Sequence, residues 1–257
     1  MRTIGFVGGG RIARIMIEGW KKAGALPRTV VVFDVNSEQA ARLASIAPEV
    51  TPGTLAEAAS ADLVIVGLHP PVLAEALPTI KGHLKPEAVL LSLAPKMKFA
   101  GLSNLLGGFS RLARQNPNAP SIVGKGYNPI AFSVGLPENE RSTLLTLMEP
   151  LGDCPVVDEG ALEAYALISA MGPTYLWFQL KELERLAVEF GLTDAAGRRA
   201  VEAMVNGASA TLFESGLAPD DVMDLVPVKP LAADEAAIVG AYRDRLKPLF
   251  QKLTSPT

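Results

Sequence analysis

The feature that most constrains this chain is its opening, MRTIGFVGGGRIA at positions 1–13. Residues 3–7 form a short apolar run with β-branched side chains, which reads as a buried strand. Gly8, Gly10 and Ala13 then fall on the Gly-x-Gly-x-x-Gly/Ala spacing, and an apolar helical pattern starts at once with Ile12, Ile15, Met16 and Trp20. Each position has a physical task in a dinucleotide turn. Gly8 permits the tight turn, Gly10 leaves room for a pyrophosphate against the backbone, and Ala13 lets helix and strand pack closely. Arg11 and Ile12 open the helix whose positive end holds the phosphates, and Arg11 can add a charge-assisted bond.

A glycine turn alone also ends strands that bind nothing. Here a second apolar run, 29–33, ends in Asp34, roughly 20 residues on, where a carboxylate accepts hydrogen bonds from ribose hydroxyls. The combination predicts a site for NAD or NADP. The Asp34 carboxylate repels the 2′-phosphate of NADP, which favours NAD. Val35 and Asn36 bring no positive charge. Arg42, the nearest downstream cation, is expected on the next helix and turned from the site.

Further strands are predicted at 62–68, 88–93 and 111–115, alternating with helices at 37–45 (Ser37 as N-cap), 54–60, 72–80 and 99–106. Thr54 with Glu57 three residues later is a capping box. Such alternation implies an α/β fold, a Rossmann-type, doubly wound, mostly parallel sheet with right-handed crossovers. Its ligand crevice lies at the carboxyl ends of the strands. That edge receives Gly8 to Ala13, Asp34, His69-Pro70, Ala94 to Lys96 and Asn116 to Pro120. A helix at 138–151 and a last strand at 154–157 follow, and then only helices, at 161–190, 194–214, 219–225 and 234–250. The boundary is read near Val157, giving a dinucleotide-binding domain at 1–157 and a helical domain at 158–257.

The helix at 161–190 is apolar around most of its circumference, and about 100 residues of helical domain cannot cover it. This implies a homodimer or higher homo-oligomer with an apolar seam. Residues 164–180 carry no charge but fall short of the roughly 20 that a membrane span needs, and Gly172-Pro173 interrupts them. Hydrophobic residues are 49% and charged residues 20%, with a net charge of −3, so the chain is a well-packed globular protein. That charge gives no reason to expect nucleic acid or a membrane as partner. The single cysteine, Cys154, excludes a disulfide framework and has no adjacent base to make a catalytic thiolate. With only two histidines, far apart, no metal cluster is expected. The opening lacks a basic–apolar–small leader, and the chain reads as cytoplasmic.

RQNPNAPSIVGKG at 114–126 resembles a loop of the pyrroline-5-carboxylate reductase family. ISAMGPTY at 168–175 resembles that family's Gly-Pro segment, IGFVGGGRIA resembles its opening, and order and spacing agree along the chain. The resemblance implies a Rossmann domain, a helical dimerisation domain and reduction of a cyclic imine by NADPH or NADH, with a small-molecule site between the domains at the dimer seam. It adds His69, Pro70, Ala94 and Asn118 to the cofactor side, and Ser169, Met171, Gly172, Pro173 and Lys229 to the substrate side. Asn118, Lys229 and Tyr165 become candidate catalytic groups, while His69 or a water also remain open as proton sources.

The departures fall on the substrate side. The family's Ser-Gly-Ser is Ser169-Ala170-Met171, and its threonine hydroxyl falls at Ala166. Its carboxylate-holding Ser-Pro-Gly-Gly-Thr-Thr loop is replaced by PVKPLAA at 227–233. The family's Lys-Pro is His69-Pro70, and the asparagine of its fingerprint is Arg11. Lost hydroxyls and added bulk change what a pocket rejects. The resemblance therefore implies hydride transfer to a C=N or C=O bond of a small carboxylate-bearing substrate, and argues against proline synthesis itself. Two alternatives are a β-hydroxyacid-type dehydrogenase, which needs a cleft lysine as acid, and an NAD(P)-binding regulatory protein without catalysis.

Overall fold

Strand side chains divide between two apolar layers. In β1 (Ile4–Val7), Ile4 and Phe6 join one buried cluster while Val7 joins the other. β4 (Leu63–Val66) repeats the split, with Leu63 and Ile65 against Val64 and Val66. Continuous apolar runs read this way when a parallel sheet is covered on both faces. The structure, a computed structural model, describes residues 3–255; Met1 and Arg2 of the opening stretch, the last two residues and the side chain of Pro70 lie outside the described set.

The sheet also contains β2 (Val30–Phe33), β3 (Val50–Pro52), β5 (Val89–Ser92), β6 (Leu112–Gln115) and β8 (Ile130–Phe132), in the order β3-β2-β1-β4-β5-β6-β8. All pairs are parallel except β6 with β8, where Arg114 lies opposite Ala131. The order reverses between β1 and β4, which puts the topological switch point at the carboxyl end of β1. Helix α1 (Arg11–Lys22) buries Ala13, Met16, Ile17 and Trp20 against the first layer, and the Trp20 indole N–H donates to the Leu147 carbonyl at 2.8 Å. Helices α3 (Leu55–Ala59), α4 (Pro70–Lys81) and α5 (Phe99–Leu105) cover the second. The Thr54–Glu57 capping box is formed, each side chain bonding the other's backbone N–H.

Several details differ from the expectations. Asn36, not Ser37, caps α2 (Ser37–Ala44), its side chain accepting from the Glu38 N–H. β3 and β8 are three-residue edge strands, too short for a periodic signal, and Pro52 is tolerated only because β3 lies at the edge. Helix α6 (Glu138–Met148) continues to Leu151 as a 3-10 turn. The strand expected at 154–157 reduces to an isolated bridge between Ile130 and Val156, while β7 (Gly126–Tyr127) and β9 (Gly152–Asp153) form a separate small sheet.

The helix expected over 161–190 is not continuous. A 3-10 turn at Glu159–Ala161 leads into α7 (Leu162–Tyr165), then a π-turn at Ala166–Ala170, and α8 (Pro173–Glu189) starts afresh. Pro173 has no N–H to donate and its ring crowds the turn before it, so the ladder loosens there and restarts with proline in the first turn. The division into compact units follows this break. One unit runs to Met171 and takes in the chain from Phe250; the other covers Gly172–Leu249. The second holds α8, α9 (Asp194–Glu214), α10 (Pro219–Asp224) and most of α11 (Glu235–Thr254). α8 and α9 approach closely at Gly197, where an added Cβ would lie 3.0 Å from that of Ala187.

The packing of β1 on α3 leaves no room for a side chain at Gly5, where a Cβ would stand 1.8 Å from the Ala58 carbonyl oxygen. Both atoms belong to backbone regions and cannot swing away. Gly5→Ala is expected to cost at least about 1–3 kcal/mol, read as a thermal midpoint lowered by several degrees. A melt matching the wild type would overturn this account of the packing.

Candidate active site

The glycine turn leaves β1 at the switch point. Gly8 has φ +106, a conformation L side chains rarely adopt, and an added Cβ would meet the Gly67 carbonyl at 2.8 Å. Gly10 is the N-cap of α1 and provides no side-chain cap, and the first turn contains no acidic residue. A helix built only for structure commonly satisfies those N–H groups with Ser, Thr, Asp or Asn. Here no side chain takes that part, which suits the N–H groups to an anion. A Cβ on Gly10 would have nothing within 4 Å, so the space over the turn is open.

Asp34 stands at the end of β2 with its carboxylate already engaged. One oxygen accepts from the Gly9 N–H at 2.7 Å, and the other from the Asn36 N–H at 2.8 Å. Beside it a cleft of about 280 Å³ is lined by Gly9, Gly10, Arg11, Arg14, Gln39 and Arg42, among others. Arg42 therefore shares the cleft with the glycine turn, contrary to the expectation that it is turned away. Its guanidinium is 3.5 Å from Glu38, and that of Arg14 is 2.6 Å from Glu18. These residues fit a dinucleotide: an uncapped helix end for the pyrophosphate, a carboxylate for a ribose, and cations along the wall.

The neighbouring loops bring the other first-unit candidates to the same sheet edge. His69 is exposed at the end of β4 and caps α4, its carbonyl accepting from the Leu73 N–H. Pro70 begins that helix. Ala94 is buried after β5, and its N–H donates to the Ser92 hydroxyl at 3.4 Å. Two residues on, Lys96 has φ +71, and no other described residue except glycine has a positive φ. Nothing in its residue type marked it beforehand.

Beyond β6, side-chain amides organise the loop. Asn118 is buried; its carbonyl accepts from the Tyr127 N–H at 3.1 Å, and its amide donates to the Ser169 carbonyl at 3.2 Å. The Ser169 hydroxyl donates to the Tyr165 carbonyl at 2.9 Å. Tyr165 packs on Tyr127 with ring centroids 6.0 Å apart. Partial desolvation first, then Tyr165 and the Asp153 carboxylate, push the Tyr127 phenol above its ordinary range. Tyr127 is a residue that sequence reasoning passed over; its only signal was its place directly after the loop, in GKGYN. Met171 closes the π-turn by donating to the Ala166 carbonyl at 3.0 Å.

A buried ion cluster underlies this loop. Arg114, 2% exposed, donates to Glu159 at 3.0 Å and to Glu163 at 2.9 Å, and Glu159 also accepts from the Phe99 N–H at 2.6 Å. The Asn116 amide donates to the Leu162 carbonyl. Cys154 accepts from the Gln115 amide at 3.2 Å, and burial pushes its thiol up to about 11, so it is no nucleophile. Among the described residues no group of His, Cys, Asp and Glu could hold a metal ion.

In the second unit Gly172 and Pro173 start α8. Lys229 borders an open hollow of about 320 Å³ with Leu231, Ile238 and Val239, its ammonium 3.9 Å from Asp224. Tyr175 meets Tyr242 edge to face at 5.8 Å.

Gly10→Val tests the turn cleanly, because the protein offers its side chain open space. The variant is expected to melt like the wild type yet lose NADH binding in a fluorescence titration. An unchanged titration curve would remove the turn from the cofactor site.

A family profile described as NADP oxidoreductase, coenzyme F420-dependent, matches residues 3–96. The pyrroline-5-carboxylate reductase of Haemophilus influenzae is 24% identical over 215 residues, covering 83% of this chain and 79% of that one. That of Pseudomonas aeruginosa is 24% identical over 251 residues, covering 97% and 92%. Among solved structures, the pyrroline carboxylate reductase of Plasmodium falciparum with NADP bound shares the fold, with a TM-score of 0.77 at 16% identity over 98% of this chain and 93% of that one. Along most of its length the chain is thus similar to pyrroline-5-carboxylate reductases, and it shares their fold.

Proposed function

We propose that the chain is an NAD(P)-dependent reductase that transfers hydride to the C=N bond of a small, carboxylate-bearing cyclic imine. The observation that carries this reading is the uncapped glycine turn at Gly8–Gly10 with Asp34 held beside it. When bound, the reduced nicotinamide supplies the hydride. The chain's own task is then to hold the imine and provide a proton. The cofactor side falls to Gly8, Gly10, Arg11, Ile12, Ala13 and Asp34, with His69, Pro70, Ala94 and Asn118 along the same edge. Asp34 favours NADH, because Arg14 and Arg42 already have carboxylate partners. Ser169, Met171, Gly172, Pro173 and Lys229 are assigned to the substrate, Lys229 as the point charge for its carboxylate.

Stopped-flow and steady-state assays with a panel of cyclic imino acids and keto acids test this reading. Steady NADH oxidation by a cyclic imine is expected, with a lower dissociation constant for NADH than for NADPH at fixed salt. Pyrroline-5-carboxylate itself is expected to turn over well below about 10 per second, a typical enzyme rate, because Ala166 and the 227–233 segment replace the hydroxyls of the family pattern. Failure of every imine would remove the assignment. A tighter constant for NADPH would hand the 2′-phosphate to Arg11 and Arg42.

We infer a cytoplasmic homodimer, and the apolar surface of the helical unit supports the second copy. No residue of α8 is buried, although it carries Leu176, Trp177, Phe178, Leu183 and Val188, all well exposed. Phe190 and Phe213 are each 79% exposed. Apolar surface on this scale calls for a second copy. None of the described helices is long and apolar enough to cross a membrane. Light scattering at micromolar concentration is expected to give a dimer or a multiple of it, and a monodisperse monomer would refute the seam.

A further inference from the structure

We propose that Lys96 is a cation of the substrate site, holding the carboxylate of the cyclic imine beside the reacting end of the dinucleotide; the assignment rests on the reductase reading above. The turn that carries Lys96 is strained. The Met97 N–H donates to the Pro95 carbonyl at 2.9 Å, and Lys96 between them has φ +71. A hydrogen bond closed over one residue of positive φ is the rare, strained kind of γ-turn. Glycine would hold that backbone without the penalty, so the strain comes with the lysine side chain rather than with the turn. Backbone kept in such a state clusters at ligand sites, where the surrounding structure over-determines it.

The loop is pinned on both sides of the turn. Before it, the Leu93 N–H donates to the Val66 carbonyl at 3.0 Å, and the Ala94 N–H to the Ser92 hydroxyl at 3.4 Å. After it, the Phe99 N–H donates to Glu159 at 2.6 Å, and Glu159 is itself held by the buried Arg114. The ion cluster beneath the sheet edge thereby fixes the far end of the loop that presents Lys96.

The strand order gives the ligand. Asp34 follows β2 on one side of β1, where the ribose is placed. A dinucleotide lies across the switch point, so its reacting ring falls on the other side, over β4 and β5. Lys96 follows β5, about 10 Å from the end of β1 at the usual strand spacing. The residue is half-buried, and among the described residues its ammonium has no ion-pair or hydrogen-bond partner. Arg114 is spent on Glu159 and Glu163, whereas Arg14 and Arg42 have Glu18 and Glu38. A cation partly withdrawn from water and free of carboxylates calls for an anion, and the substrate brings one. Lys229, given the same carboxylate above, belongs to the other compact unit and stands 3.9 Å from Asp224. Lys96 is the charge that the dinucleotide unit itself supplies.

Lys96→Met and Lys96→Gly in the full-length protein test the assignment. Lys96→Met is expected to lower kcat/KM on imines that carry a carboxylate, relative to the same rings without it, by about tenfold to a hundredfold, as for a lost bond to a charged group. An equal loss on both kinds of ring, or no loss, would overturn the assignment and leave the reductase reading standing. A second readout needs no turnover. In calorimetric titrations with NAD present, L-proline or L-pipecolate is expected to bind the wild type and to bind Lys96→Met about tenfold or more weakly, with no such contrast for pyrrolidine or piperidine. A wild type inert on every imine that still binds these amino acids through Lys96 would overturn the reductase reading and leave the carboxylate site. A wild type that neither reduces imines nor binds the amino acids would overturn both. Lys96→Gly is expected to lose the same binding while its thermal midpoint rises by about 2–4 °C, because glycine relieves the turn. A lower midpoint would overturn the strained turn as the platform of the site.

Discussion

The β6 end of the sheet is tied to α7 and α5 by Arg114 and its two carboxylates. Arg114 points from β6 into a fully buried position and holds two carboxylates, Glu159 and Glu163, that lie on the far side of the loop in sequence. Taking such ions out of water costs several kcal/mol each, repaid only when the geometry is close and the remaining hydrogen bonds are made. Here Glu159 gains a second donor from the Phe99 backbone, tying α5 into the same cluster. Arg114 Nε is left without a partner. The cluster therefore contributes less to net stability than to specification: with the charges buried, α7 has one place to sit. Tyr165 and Ser169 inherit that placement.

Much of this was legible in the sequence, and the reasons are local. A glycine turn followed by a helix and then an acidic residue after a second strand is a pattern set within 34 positions, so the fold and a candidate cofactor edge could be read together. The capping box at Thr54 is likewise a contact between near neighbours. The interactions that escaped are long-range. Arg114 and Glu163 are 49 positions apart, and Asn118 and Ser169 are 51 apart. No periodicity encodes such pairs. Tyr127 and Tyr165 were separated in the same way, and each alone looks like a core aromatic. The continuous helix expected at 161–190 failed for a different reason. Apolar content spoke for its continuity, whereas Pro173 and the π-turn before it decide the backbone.

The loop amides show how one polar residue type serves several purposes. Asn128 accepts from both the Asn118 N–H and the Ser121 hydroxyl. Asn116 reaches Leu162, and Asn118 reaches Ser169. Buried side-chain amides are tolerated because each meets a backbone or side-chain partner. They join the irregular stretch 116–128 to α7 without any regular ladder. Asn118 ties the loop together through both ends of its amide, to the Tyr127 N–H and the Ser169 carbonyl. Lys96 is a contrasting case, holding a left-handed backbone that costs a side-chain-bearing residue about 1–2 kcal/mol.

Asp34 has a consequence for redesign. On the function proposed above its carboxylate disfavours a phosphorylated ribose, so an engineer seeking to change coenzyme would remove it first. Yet the same two oxygens staple the glycine turn through Gly9 and the start of the next connection through Asn36. The turn is thereby ordered before any ligand arrives, and binding need not pay that entropy. Neutralising Asp34 relieves a repulsion and at the same time frees the loop that both coenzymes must grip. Selectivity and preorganisation are coupled through one side chain, so a swap of preference at this position requires a replacement staple as well as a new cation.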